Sequence, residues 1–147
     1  MGFWLKKWFK ISMCLVMFFM ALLYFYNAWQ YNTYWGYDSG AHIDYIFTIA
    51  EEGRYPTMEE NYLAWHEPLF YLLNGCLVSV LKTVGISRVT ILKILQVESA
   101  LWGIVFICFS TLLAWFITKN KIVTIIIAGL VGFLPELSEA SRFVTNE

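Results

Sequence analysis

The hydrophobic residues of the chain fall into four blocks that are separated by polar stretches. The first block, residues 11–29, follows Lys6, Lys7 and Lys10. An apolar helix of this length crosses a hydrocarbon core of about 30 Å, and flanking lysines favour the cytoplasmic side. The block ends in large aromatic residues, whereas the apolar region of a cleaved signal peptide is shorter and ends in small ones. We therefore expect a retained membrane anchor with a cytoplasmic N-terminus.

An acidic, aromatic-rich stretch follows the first block. Four aromatic residues between positions 31 and 37 suit a membrane–water interface. Residues 38–67 then carry seven acidic side chains against the single Arg54. The acidic residues are Asp38, Asp44, Glu51, Glu52, Glu59, Glu60 and Glu67.

A short amphipathic helix is predicted within the acidic stretch. Apolar residues from Ile43 to Ala50 recur at helical spacing. Asp38 or Ser39 can cap the first turn, and Gly53 can end the helix. We expect this helix to lie along the membrane surface.

The remaining apolar blocks differ in length. Residues 68–81 give only about 21 Å of helix, which suits an interfacial or re-entrant segment better than a crossing. A longer pattern begins after Ser87, a plausible N-cap, and runs to Thr118, with residues 100–117 able to span the membrane. The last block, residues 122–134, follows a short turn with lysines at both ends.

Together the blocks predict an all-α membrane protein with about three transmembrane helices and short interfacial helices in the first extracytoplasmic loop. We expect a multi-pass integral protein of a prokaryotic plasma membrane. The expected segments are a basic flank and first transmembrane helix (1–30), the extracytoplasmic acidic loop (31–86), a second transmembrane helix (87–118), a cytoplasmic turn (119–121), a third transmembrane helix (122–135) and an extracytoplasmic segment (136–147).

Two topologies compete. If residues 68–81 cross the membrane, Lys119 and Lys121 face outward; if they lie on the far surface, those lysines face the cytoplasm and Glu147 shares a side with Asp38. The positive-inside rule is divided, because the second arrangement leaves other basic residues outside. We favour the second arrangement because residues 68–81 are short and the turn between the lysines is tight.

Composition supports the membrane class. Hydrophobic residues make up 59% of the chain and charged residues 14%, against about 45–50% and about 25% in soluble domains. The net charge of -1 leaves no basic surface for nucleic acid. Cys14, Cys76 and Cys108 lie in apolar blocks at wide spacing, which favours a role as small hydrophobes over a zinc site or disulfides.

Asp38 is the first candidate for chemistry, because a carboxylate at a helix start beside the membrane can serve as a general base. The competing interpretation is that Asp38 only caps the helix. His42 lies one turn later and can face the same way. A divalent metal held by Asp38 and His42, with His66 and Glu67, is a further option that the sequence leaves open.

Several segments, taken in order, resemble the N-terminal part of the GT-C superfamily of membrane glycosyltransferases, which includes protein O-mannosyltransferases and aminoarabinose transferases. The matching segments are Tyr37-Asp38-Ser39 before a helix, Gly53-Arg54-Tyr55-Pro56, Glu67-Pro68-Leu69-Phe70-Tyr71, and Thr145-Asn146-Glu147 after a later helix. The resemblance covers nearly the whole chain and implies that it is the N-terminal part of a longer enzyme, inactive alone because the family's site needs further helices.

The resemblance implies transfer of a sugar from a polyprenyl-phosphate donor to an extracytoplasmic protein, lipid or glycan acceptor. It makes Asp38 the catalytic base and Glu147 a second site carboxylate, with lesser roles in substrate binding for His42, His66, Glu67 and Arg142. From charge alone, Arg88, Lys93 or Arg142 is expected to meet the donor phosphate. A non-enzymatic membrane subunit, whose acidic loop binds a cationic partner, is the alternative.

Overall fold

The computed structural model describes the backbone of residues 2–145 and the side chains of residues 7–145, and this part of the chain is helical and without strands. Six helices follow one another: α1 (Gly2–Gln30), α2 (Ser39–Glu52), α3 (Pro68–Thr83), α4 (Arg88–Thr118), α5 (Lys121–Gly132) and α6 (Pro135–Ala140). The predicted all-α class is confirmed, and α3 is slightly longer than the block that predicted it.

Several helix ends follow from local sequence signals. Ser87 accepts a hydrogen bond from the N–H of Thr90 at the start of α4, as predicted. Gly53 ends α2 in the left-handed conformation, with φ 65°. Between α4 and α5, Lys119 is also left-handed, and the side chain of Asn120 accepts from the first N–H groups of α5. The tight turn expected between the two lysines is therefore confirmed.

Helices α1, α4 and α5 form an antiparallel bundle. Phe9, near the start of α1, lies 5.7 Å from Trp115, near the end of α4, measured between ring centroids. At the other end of α1, the Tyr24 hydroxyl donates to the carbonyl of Gly132 on α5, 3.2 Å away. The bundle core consists of Met20, Tyr24, Ala28, Ala100 and Ile107. Lys10, Lys119 and Lys121 consequently lie at the same end, which we call the lysine end.

Two of the described helices are long and apolar enough to cross a membrane. They are residues Lys7–Gln30 of α1 and the whole of α4. The third predicted crossing is broken: α5 has 12 residues, which give about 18 Å of rise. Phe133 and Leu134 interrupt the helix before Pro135 opens α6.

Residues 31–87 form a lobe at the end of the bundle opposite the lysine end. Helices α2 and α3 pack against each other there, and the lobe core includes Ile43, Ile46, Tyr71 and Val78. The first turns of α4 complete this core with Ile91, Leu92 and Leu95. The 31 residues of α4 thus serve two cores, the lobe first and the bundle afterwards.

The expectation that α2 lies with its apolar face on the membrane surface is wrong. That face is covered by α3 and α4, because Ile43, Ile46 and Phe47 are buried in the lobe core. The outward apolar residues of the lobe include two on α3, Leu69, which is 65% exposed, and Leu73, which is 58% exposed. The sequence pattern correctly predicted an apolar face on α2, but another helix rather than lipid covers it.

Gln96 of α4 joins the lobe, the bundle and the last described residues. Its side chain is fully buried. The amide nitrogen donates to the carbonyls of Arg142 at 2.9 Å and Tyr31 at 3.4 Å, while the amide oxygen accepts from Thr33 at 3.0 Å. One turn earlier, the Lys93 ammonium donates to the carbonyls of Trp29 and Tyr31, where α1 ends. These bonds satisfy carbonyls that the end of a helix leaves unpaired.

Replacing Gly103 should lower the stability of the bundle. A Cβ atom at this position would lie 2.8 Å from Cε1 of Tyr24 and 2.9 Å from Cβ of Ser141, so Gly103→Ala forces these elements apart and should cost about 1–3 kcal/mol. Gly129→Ala is the matched control, since a Cβ there meets nothing within 4 Å. Thermal unfolding in detergent micelles measures both, and equal melting temperatures would contradict the close α1–α4 packing.

Candidate active site

Asp38 lies at the start of α2 but does not cap it through its side chain. Its backbone is left-handed, with φ 57°, and its carboxylate makes no capping hydrogen bond. A carboxylate that caps a helix usually belongs to a residue in the β region, from which the side chain reaches the first N–H groups. Asp38 occupies the N-cap position that we predicted, but its side chain is turned elsewhere. The hydroxyl of Tyr62 donates to its Oδ1.

His42 is buried one turn after Asp38, with 2% of its surface exposed. Its Nδ1 lies 2.8 Å from the hydroxyl of Tyr71, and the two rings stack. Its Nε2 lies 3.5 Å from the hydroxyl of Thr145. A neutral imidazole protonated at Nε2 satisfies both contacts, because Tyr71 then donates to Nδ1 and Nε2–H points to Thr145.

The surroundings of His42 keep it neutral. Burial and, to a smaller extent, the neighbouring His66 together lower the pKa of His42 to about 4, although Asp38 acts in the opposite direction. Burial also raises the pKa of Tyr71, and Tyr45, stacked on it with 3.7 Å between ring centroids, adds to the effect. The His42–Tyr71 pair is therefore uncharged at neutral pH.

The last described residues pack beside Asp38. Phe143 lies so close to Gly36 that a Cβ atom on the glycine would be 2.8 Å from Cβ of Phe143. Val144 is buried in the lobe core, and Thr145 reaches His42. We use the name Asp38 cluster for Asp38, His42, Tyr62, Tyr71 and Thr145. The predicted arrangement, in which the final segment shares a side with Asp38, agrees with this packing.

The other predicted site residues differ in how close they lie to the Asp38 cluster. His66 lies at the edge of the cluster, with its ring centroid 6.0 Å from that of His42. Glu67 is the exposed residue before α3. Arg142 stacks on the ring of Tyr31 and pairs with Glu139 at 3.1 Å, so its guanidinium is engaged by these two residues. Glu147 lies outside the described residues.

The metal site that the sequence left open does not assemble within the described part of the chain. No three His, Cys, Asp or Glu side chains in that part come together in an arrangement that could hold a metal ion. The two nitrogens of His42 face Tyr71 and Thr145, and the carboxylate of Asp38 meets Tyr62. All three cysteines are free.

Two of the basic residues that were expected to bind the donor phosphate make contacts with other groups of the protein. The Lys93 ammonium donates to the carbonyls that end α1, and the Arg88 guanidinium lies 4.2 Å above the ring of Phe47. Beside Lys93 is a groove of about 340 Å³, whose lining is mostly apolar. Trp29, Val89, Thr90, Lys93, Ile94 and Val97 line it.

No protein-family model, curated protein or solved structure matches the chain. Its function is therefore argued from the residues of the Asp38 cluster and from their place in the fold.

Sequence reasoning missed three members of this cluster, Tyr62, Tyr71 and Thr145. Tyr71 stands in the quoted segment that opens α3, but nothing in the sequence pairs it with His42, 29 residues earlier. Tyr62 lies in an irregular loop, where no period of 3.6 or 2 assigns a direction to a side chain. Each contact depends on tertiary packing of the lobe.

The stability of the lobe should fall as the pH drops from about 6.5 towards 4. The fold holds the pKa of His42 at about 4, below its ordinary value of 6.5. The contribution of neutral His42 is thus complete above pH 6.5, declines through this window and changes no further below pH 4, with a total of at most about 3 kcal/mol.

Denaturant unfolding in micelles across this pH range tests the expectation. His42→Phe keeps a ring in the same volume and should flatten the pH dependence, whereas His66→Gln should retain it. If the pH dependence of the unfolding free energy is unchanged in His42→Phe, other groups cause the loss of stability at low pH.

Proposed function

We propose that the chain forms the N-terminal part of a membrane glycosyltransferase that moves a sugar from a polyprenyl-phosphate donor to an extracytoplasmic acceptor. Asp38 is the general base of this reaction. It removes the proton from an acceptor hydroxyl as the hydroxyl oxygen bonds to the anomeric carbon of the donor. The bond from that carbon to the phosphate oxygen breaks, and polyprenyl phosphate leaves with the electron pair.

The observation that carries the proposal is the contact between the turn after Asp38 and the last described residues. The hydroxyl of Thr145 lies 3.5 Å from Nε2 of His42, and Thr145 precedes Glu147 by two residues. Two residues span at most about 7 Å. The resemblance requires two acidic residues, one after each of two separate helices, on the same side of the membrane, and this contact is compatible with that requirement.

The state of the Asp38 side chain adds support. A capping carboxylate is bound by the N–H groups of its own helix, whereas that of Asp38 makes no such bond. Among the described residues, the side chain that bonds to it is that of Tyr62, which approaches Oδ1 and leaves Oδ2 able to accept a proton. A base must keep such an oxygen for the substrate.

The proposed membrane disposition follows from the two ends of the bundle. Lys10, Lys119 and Lys121 lie together at the lysine end, and the positive-inside rule assigns such an end to the cytoplasm. The lobe and the Asp38 cluster then face outward. We propose that α5 and α6 together make the third crossing of a multi-pass protein in a prokaryotic plasma membrane.

The donor suits this disposition. A polyprenyl tail stays in the bilayer while its phosphate waits at the interface, near the height at which α1 ends and the lobe begins. The sequence contains no glycine-rich motif for a soluble nucleotide sugar, which agrees with a lipid-linked donor.

Thiol labelling tests the membrane disposition. In a variant without Cys14, Cys76 and Cys108, single cysteines are introduced by Asn120→Cys, Glu59→Cys and Glu147→Cys, and intact cells are treated with an impermeant reagent. We expect labelling at positions 59 and 147 but not at 120. Labelling at 120 and not at 147 would separate Asp38 from Glu147 by a bilayer and favour the non-enzymatic subunit.

Substitution of Asp38 tests the chemistry. In the full-length protein, Asp38→Asn should lower sugar transfer by about 10²–10⁴-fold, because it removes the base while keeping the size of the side chain. Transfer is measured with radiolabelled polyprenyl-phosphate mannose, glucose and aminoarabinose as donors, and with a cell-envelope extract as acceptor. Asp44→Asn, also on α2 but exposed, is the matched control and should leave transfer unchanged. Full activity of Asp38→Asn would remove Asp38 from the base role.

A further inference from the structure

We propose that Tyr62 is the positioning residue that orients the carboxylate of Asp38. The buried side chain of Asn61, the residue before it in the loop between α2 and α3, holds Tyr62 in place. The inference rests on the proposed role of Asp38 and adds a residue that neither the sequence pattern nor the resemblance indicated. Its basis is the geometry of the loop between α2 and α3.

The orientation of the Asp38 carboxylate comes from outside its own helix. The left-handed backbone turns this side chain away from the first N–H groups of α2. Among the described residues, the hydroxyl of Tyr62 is the side-chain group that hydrogen-bonds to it. A single donor on Oδ1 fixes the plane of the carboxylate and leaves Oδ2 for a substrate hydroxyl.

Both neighbours of Tyr62 are fixed, and this determines where its ring stands. The side chain of Asn61 is buried and donates to the carbonyl of Ala41 in the first turn of α2, at 2.8 Å. Its oxygen accepts from the N–H of Leu63 at 2.9 Å, and Leu63 is buried in the lobe core. Tyr62 therefore starts from a backbone that is tied to the same helical turn as Asp38.

The base of the loop is closed by an ion pair. Arg54 donates to both carboxylate oxygens of Glu60, at 2.7 and 2.8 Å, and the N–H of Thr57 donates to the same carboxylate at 2.8 Å. The bond from Arg54 lowers the pKa of Glu60 to about 2. Glu60 thus stays ionised over the physiological range, and the turn before Asn61 keeps its shape.

The competing interpretation is that Tyr62 is one more aromatic residue at the membrane interface, since its side chain is 53% exposed. An interfacial ring contributes through its apolar area and tolerates the loss of a hydroxyl. A positioning residue depends on that hydroxyl. Tyr62→Phe separates the two roles, because it removes one oxygen atom and keeps the ring.

The first experiment reads the contact itself and does not depend on activity. In protein labelled with carbon-13 at tyrosine Cζ, the resonance of Tyr62 is assigned by its disappearance in Tyr62→Phe. The hydrogen bond to Asp38 raises the pKa of Tyr62 to about 12, so this resonance should remain that of a neutral phenol at pH 10.5. In Asp38→Asn it should shift towards the tyrosinate position at the same pH. Ionisation of Tyr62 at pH 10.5 in the wild type would overturn the proposed contact.

The second experiment measures turnover in the full-length protein with the same three labelled donors. Tyr62→Phe should lower kcat about 10-fold and leave KM for the donor unchanged, because a misdirected base slows the chemical step without weakening binding. Tyr55→Phe, an exposed tyrosine of the same loop, is the matched control and should behave as the wild type.

The two proposals fail in different ways. Full activity in Asp38→Asn would remove the base and the proposed function with it. A large loss in Asp38→Asn, together with wild-type kcat in Tyr62→Phe, would overturn only the positioning role. A rise in KM without a fall in kcat would likewise overturn it, since Tyr62 would then contribute to binding.

Discussion

The buried side-chain amide of Gln96 holds together the bundle, the lobe and the last described residues. It bonds to the chain leaving α1, to the loop that follows, and to the segment after α6. A buried amide that lost these partners would leave unpaired polar groups, each at a cost of about 1–3 kcal/mol. The path from α1 into the lobe and the return of the chain at residue 142 are therefore fixed against the same turn of α4. Asp38 and Thr145 belong to the two segments that Gln96 joins. Their closeness therefore depends on both segments being held at the same turn of α4.

Local chemistry made much of the fold predictable. The start of α4 follows from the hydroxyl of Ser87, the end of α2 from Gly53, and the reversal before α5 from Asn120. Each of these signals acts within a few residues, so a sequence displays it directly. The antiparallel course of α1 and α4 follows only if residues 68–81 do not cross the membrane, so it depended on the choice between the two topologies.

What covers an apolar face could not be predicted in the same way. The pattern from Ile43 to Ala50 predicts that one face of α2 is buried. Lipid and a protein helix are equally apolar, so the pattern does not show which of them covers that face, and this is decided by tertiary packing. The same limit applies to the Asp38 cluster. The sequence indicated Asp38 and His42 because both lie near a helix start, whereas Tyr71 and Tyr62 reach them from 29 and 24 residues away along the chain.

The continuity of α4 links the lobe to the thickness of the membrane. Its 31 residues measure about 46 Å, so under the proposed disposition roughly 16 Å stands beyond a hydrocarbon core of about 30 Å. No hinge separates the part that supports the lobe from the part that supports the bundle. A thicker bilayer would draw the Asp38 cluster towards the acyl chains, and a thinner one would lift the cluster into water. Under the proposed disposition, the lipid composition of the host membrane would thereby set how much water surrounds this carboxylate.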